Sequence, residues 1–235
     1  MQRAVSGRRL CRMLALTLAL LLLLPVLRVA AVPSVVYRYA SGGGKRRVAL
    51  TFDDGPHPKY TPEILDILAE YGVPATFFMV GSNARAYPRL VSRVIREGHE
   101  IGNHTESHYH TANITTDTLI RDILACGEAL AGLAGGKPPT LFRPPEGVFN
   151  EEIKAFCQRE GYTIVMWSID TRDWAHTPVS EIVKGVRENA RDGAIILMHD
   201  FIGKNSPTPA ALRQIIPMLQ ESGYELVTVS RLLQG

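Results

Sequence analysis

From Val48 onward the chain alternates short β-type runs with amphipathic helical stretches, and this alternation restricts the fold more than any other feature. The β-type runs are 48–52, 75–80, 100–103, 141–143, 163–169, 194–198 and 226–229, rich in β-branched and aromatic residues. Between them the periodicity predicts helices over 61–70, 88–97, 115–133, 150–160, 179–189 and 209–221. Thr115 is a candidate N-cap, and Pro217 predicts a kink in the last helix. Gly72, Gly98, Gly161, Gly193 and Gly223 each stand just past a helix, where a left-handed stop is wanted. Strand–helix alternation of this kind implies parallel strands joined by helical crossovers, in a single α/β domain without internal repeats.

The N-terminus reads differently. Residues 1–12 hold Arg3, Arg8, Arg9 and Arg12 and no acid, an apolar run follows from Met13, and Val29-Ala30-Ala31 supplies small residues. Basic, apolar and small-residue regions in that order predict a secretory signal peptide over 1–31. The alternative is an uncleaved membrane anchor, although 15 positions containing Pro25 fall short of the roughly 20 apolar residues a span needs. The sequence pI of 8.8 invites a reading of nucleic-acid or acidic-surface binding. However, residues 1–31 carry five arginines and no acid, so the remainder holds 21 basic against 23 acidic residues, a net −2. The basic character thus belongs to the export segment. No nucleic-acid motif is present, and a membrane contact is expected only through an uncleaved N-terminus. The chain is expected to be secreted or otherwise extracytoplasmic. Residues 32–46 read as a linker with a glycine-rich joint at 41–44, ahead of a domain over 47–235. Two cysteines remain, Cys126 and Cys157; outside the cytoplasm they could form one disulfide, but their apolar helical faces favour buried thiols.

In parallel α/β folds chemistry gathers at the C-terminal strand ends, and the unusual polar residues fall there. The first strand ends in Thr51-Phe52-Asp53-Asp54-Gly55-Pro56. Successive side chains of an extended chain point to opposite faces, which favours two separate roles for the two carboxylates. The third strand runs into Asn103-His104-Thr105-Glu106-Ser107-His108. On one helical turn His104 and His108 would share a face at metal-ligand spacing, and two histidines with one carboxylate leave positions open for water and substrate. Taken singly, Asp-Asp-Gly-Pro is a good turn and Arg143-Pro144-Pro145 a rigid loop. Five strand ends each delivering such a group are a different matter.

These residues resemble the polysaccharide deacetylases with a NodB homology domain, the carbohydrate esterase family 4. The resemblance covers about 45–235 and rests on five ordered motifs: TFDDGP at 51–56, HTESH at 104–108, RPPEG at 143–147, DTRDW at 170–174 and LMH at 197–199. It implies a distorted (β/α) barrel of about seven parallel strands. It further implies a divalent metal, zinc first and cobalt or another ion as alternatives, held by Asp54, His104 and His108. Asp53 resembles the general base, Arg143 its partner, His199 the general acid and Asp173 the carboxylate that holds that histidine. Asp170 and Asn103 are expected behind these groups, and Trp174 and Leu197 against the acetyl methyl. The Glu146 backbone N–H is expected at the oxyanion.

The implied reaction is hydrolysis of N-acetyl groups on a cell-wall polysaccharide, with peptidoglycan ahead of chitin-like glycan. The alternatives are O-deacetylation of an acetylxylan-type polymer and a catalytically inactive glycan-binding module. Glu146 stands where the family often has an aromatic or small residue, which bears on substrate choice. His57 and His110 are read as loop residues near the rim.

Overall fold

The computed structural model describes residues 33–40 and 43–234; the signal peptide expected at 1–31 and the start of the glycine joint lie outside them. Nine parallel strands build one sheet: β1 (Val35–Val36), β2 (Arg46–Asp53), β3 (Thr76–Met79), β4 (Glu100–Asn103), β5 (Leu141–Phe142), β6 (Thr163–Val165), β7 (Ile169–Asp170), β8 (Ala194–His199) and β9 (Tyr224–Leu226). Among the described residues eight α-helices accompany them: α1 (Tyr60–Tyr71), α2 (Gly81–Ala86), α3 (Pro88–Arg96), α4 (Thr116–Leu133), α5 (Glu151–Glu160), α6 (Val179–Asn189), α7 (Thr208–Glu221) and α8 (Val229–Leu232). The strand order is β1-β6-β5-β4-β3-β2-β8-β7, with β9 paired to the start of β2. Among the described residues the ends of this path, β1 and β7, do not pair, although Arg38, just past β1, bridges Ala194 of β8.

Side-chain parity explains both faces of the curved sheet. On β2, Val48, Leu50 and Phe52 pack outward beneath the helices, with Ile64 and Leu68 of α1 and Ile215 of α7 among their neighbours. Ala49 points the other way and meets Val36, Phe78, Leu141, Val165 and Ile195, one from each of five further strands. Those residues fill the interior. Thr51 and Asp53 share the parity of Ala49, His199 that of Ile195, and Arg143 that of Leu141. These four polar groups are thereby aimed into the barrel, at the end where the strands finish. At the opposite end α8 closes the barrel: Val229 N–H donates to Thr76 Oγ1 and Ser230 N–H to Glu100 Oε2, both on strand starts. None of the described helices is long and apolar enough to cross a membrane.

Several boundaries differ from expectation for identifiable reasons. The stretch read as a linker contributes β1, because Val35 and Val36 pair with Ile164 and Val165 at the sheet edge. The single run expected over 163–169 is two strands, since the carbonyls of Val165 and Met166 accept from the Arg143 guanidinium and the chain then crosses to β8. The last strand stops at Leu226, and Thr228 instead caps α8, its hydroxyl accepting from Arg231 N–H. Helix α2 has only six residues and shows no apolar period. Helix α7 continues through Pro217, which lacks the N–H that would bond to the Arg213 carbonyl. The Tyr71 hydroxyl donates to that carbonyl at 3.3 Å. Thr115 caps α4, accepting from Thr118 N–H. Both Cys126 and Cys157 are free and buried, and burial pushes each thiol up to about 12.

Candidate active site

A cleft of about 500 Å³ opens at the C-terminal strand ends, lined by residues from all five motifs, among them Asp53, His108, Glu146, Trp174 and Leu197. A shallower groove of about 530 Å³ lies at the other end, between Gly72 and the β9 edge, and holds no histidine.

Asp53 ends β2 directly opposite His199 on β8. Its Oδ1 accepts from Arg143 Nη1 at 2.7 Å. Arg143 is fully buried, and its other donors reach Thr51 Oγ1, Val165 O and Met166 O, with its guanidinium 4.1 Å from the Phe78 ring centre. A charge so deep is tolerable only when each donor is satisfied. Burial pulls the arginine pKa down while Asp53 holds it up. Breaking the pair by removing one partner is of the kind that costs ~3–5 kcal/mol. Asp53 Oδ2, left free by the arginine, faces the cleft 3.8 Å from His104 Nε2.

Asp54 continuing the strand would point away from the cleft. Instead its backbone is left-handed (φ 74°), which returns the carboxylate to the same side as Asp53. Neither does the histidine pair use a helical turn: 104–108 is an irregular loop, left-handed at Thr105 (φ 66°) and His108 (φ 49°). The two rings nevertheless converge, with Nε2 of His104 and His108 at 3.2 and 3.1 Å from Asp54 Oδ1. His104 Nδ1 lies 2.7 Å from the Arg143 carbonyl oxygen, which can only accept, so the hydrogen is on Nδ1 and Nε2 faces the carboxylate. Asp54 Oδ1 is buried and, among the described residues, accepts no well-aligned hydrogen bond despite the two nearby rings. Burial raises the Asp54 pKa, but the two histidines outweigh it and hold the carboxyl ionised; Asp54 in turn raises His108. Three ligand atoms within 4.8 Å of one another, one an orphaned carboxylate oxygen, form a donor set that fits a divalent cation.

His199 faces this cluster across the cleft. Its Nδ1 is 2.8 Å from Asp173 Oδ1, and its own N–H donates to Asp173 Oδ2. Thr208 Oγ1 completes the fully buried carboxylate at 2.6 Å. Burial lowers the imidazole pKa, yet Asp173, with Asp53 and Asp54, pushes it up to about 9. Leu197 and the half-exposed Trp174 form the apolar side of the cleft, joined by Trp167.

Other expected residues sit differently. Asp170 lines the cleft and accepts from Arg172 N–H; among the described residues it makes no hydrogen bond or ion pair to His199 or Asp173. Asn103 holds the loop rather than a ring: its Oδ1 accepts from Thr105 N–H and its Nδ2 donates to Ile123 O. Glu146 (φ 58°) reaches across the mouth to His110 Nδ1 at 2.6 Å, which gives His110 a place on the rim. His110, aided by Thr111, lowers the Glu146 pKa. The Glu146 N–H makes no hydrogen bond among the described residues. His57 stays outside, stacked on Tyr60 with Phe201 at its edge.

Thr51, Trp167, Thr208 and Asp200 were not singled out by the sequence. Two of them carried a local signal: Thr51 opens the TFDDGP motif, and beside His199 stands Asp200. It is 1% exposed, its Oδ2 accepts from Thr61 Oγ1, and its Oδ1 has no hydrogen-bond partner among the described residues. It fits because residue 55 is glycine, where a Cβ would lie 2.1 Å from Asp200 Oδ2. Burial, then Asp54 and Asp53, push its carboxyl up from 3.8 to about 7. Between those values the folded chain keeps a proton that the unfolded chain releases, so this group costs stability as pH rises through that window. Asp200→Asn removes the cost. Its stability relative to the parent is expected to improve between pH 4 and pH 8 by up to ~4 kcal/mol. Urea unfolding of the metal-free proteins at both pH values reads this shift; equal differences at the two pH values would refute it.

A family model described as polysaccharide deacetylase matches residues 40–165. A peptidoglycan-N-acetylglucosamine deacetylase of Bacillus cereus is 46% identical over 189 residues, covering 80% of this chain and 88% of that one. A chitooligosaccharide deacetylase of Bradyrhizobium sp. is 36% identical, covering 80% and 91%. Among solved structures, the Bc1960 peptidoglycan N-acetylglucosamine deacetylase superimposes with a TM-score of 0.81 at 38% identity, covering 86% of this chain and 93% of that one.

Proposed function

The chain belongs to the polysaccharide deacetylase family, and on that footing we propose that its substrate is peptidoglycan, from which it removes N-acetyl groups. It is a hydrolase of acetamido C–N bonds. The observation that carries the reading is the pairing of a base and an acid across one cleft, each with its own buried partner: Asp53 with Arg143, and His199 with Asp173. Substrate choice draws on the peptidoglycan deacetylase relatives.

Asp54, His104 and His108 would hold the divalent ion, zinc by the preference of two imidazoles and a carboxylate for that metal. When bound, such an ion polarises the acetamide carbonyl and lowers the pKa of water at the site. Asp53 Oδ2, kept acceptor-only by the arginine on Oδ1, takes a proton from the attacking water. Developing negative charge on the carbonyl oxygen is met by the Glu146 N–H, which the fold leaves unused. His199 carries a proton at neutral pH and, with Nδ1 engaged by Asp173, delivers it from Nε2 to the departing amine. Without that proton the amine leaves poorly. Leu197 and Trp174 shelter the acetyl methyl group and exclude water from it.

Residues 1–31 serve as the export segment of this reading, with 47–235 as the catalytic domain acting outside the cytoplasm. Acetate release by the zinc-loaded protein is expected from peptidoglycan and more slowly from chitin oligomers. Release from acetylxylan alone would overturn the N-deacetylase reading, and no release from any of the three would favour a glycan-binding module.

A further inference from the structure

The loop bearing His104 and His108 has no regular structure of its own and two left-handed non-glycine residues. Such conformations cost roughly 1–3 kcal/mol each and persist where the surroundings impose them. Here the surroundings lie behind the loop, on α4 and α2. The Asp122 carboxylate accepts twice from one residue: Ser107 N–H reaches Oδ2 and Ser107 Oγ reaches Oδ1, both at 3.0 Å. The Asp122 carbonyl takes the neighbouring Glu106 N–H at 3.1 Å. From the other side Gly81 and Ser82 donate to the carbonyls of Thr105 and Glu106, and Arg85 holds the Glu106 carboxylate at 2.6 Å. Gly81 allows this contact, since a Cβ there would lie 2.0 Å from Glu106 Oε2.

Asp122 is an odd residue for its place. It is 8% exposed and makes no ion pair among the described residues. A buried carboxylate is costly unless its oxygens are hydrogen-bonded, and an apolar residue would suit that face of α4 better. Both oxygens are engaged by the residue immediately preceding His108.

We propose that Asp122 is a positioning residue of the metal centre. By holding both polar hydrogens of Ser107 it fixes the backbone from which the His108 ring reaches Asp54 and His104. Helix α4 thereby acts as the rigid mount of an otherwise irregular ligand loop. The idea rests on the metal-centre reading above.

The test is zinc affinity, measured by competition with a chromophoric chelator, alongside the melting temperature of each metal-free protein. Asp122→Ala is expected to weaken zinc binding about 10–100-fold, the usual effect of losing a group that orients a ligand. Ser107→Ala, which forfeits one hydrogen bond, is expected to weaken it ~2–10-fold. Asp122→Asn should recover most of the loss, because its amide oxygen still accepts from Ser107 N–H and its NH₂ can donate to Ser107 Oγ. Parental affinity in folded Asp122→Ala overturns the proposal. Should that variant not fold, parental affinity in Ser107→Ala overturns it instead. Absence of zinc binding by the parent protein would overturn the metal-centre reading itself, a result distinct from either.

Discussion

Asp53→Asn is expected to retain zinc at the parental affinity while kcat falls by about 10²–10⁴-fold, the contribution of a positioned general base. Asparagine has nearly the shape of aspartate, and its Oδ1 can still accept from Arg143 Nη1, now 2.7 Å from the carboxylate. The cleft, the arginine and the metal ligands should therefore stay in place. What disappears is the ability of the free Oδ2 to take a proton. Zinc titration and steady-state acetate release on one preparation check both halves. A variant keeping more than a tenth of parental turnover would remove Asp53 from the role of base.

The second large effect is expected from His104→Ala. His104 is 2% exposed, and its Nδ1–H is committed to the Arg143 carbonyl, so its ring is held rigidly with Nε2 facing Asp54. Removing it leaves Asp54 and His108 as two ligands, too few for a tight site. Zinc content should fall below a tenth of the parental value after dialysis, and turnover by about 10³-fold or more, since Lewis-acid stabilisation supplies several kcal/mol. The two variants separate the chemistry cleanly. One keeps the ion and loses the reaction; the other loses both. Unchanged zinc content in His104→Ala would refute the ligand assignment.

How much of this was legible in the sequence depended on which interactions are local. Strand parity alone sends Asp53, Arg143 and His199 into the barrel, because they share the faces of Ala49, Leu141 and Ile195, apolar residues two or four positions earlier. The helix starts at Thr115 and Asn150 were likewise readable, as a capping oxygen acts within three residues. The backbone at Asp54 and His108 was not readable. Left-handed conformations at non-glycine residues are imposed from outside, here by contacts such as Asp122 on Ser107, and no pattern within 104–108 announces them. For the same reason a helical turn was the natural guess for His104 and His108, and it reached the right juxtaposition by the wrong geometry. The Glu146–His110 clasp, Thr208 on Asp173 and the burial of Asp200 join residues 36, 35 and 139 positions from their partners. Only folding brings them together.

The central claim, that Asp54, His104 and His108 hold an ion on which amide hydrolysis depends, is tested most directly by chelation and restoration with peptidoglycan as substrate. The protein is stripped of metal, assayed for acetate release, and assayed again after one equivalent of Zn²⁺. The account predicts negligible release from the stripped protein, return of activity with zinc, and no return in His104→Ala. Full acetate release from the stripped protein would contradict it.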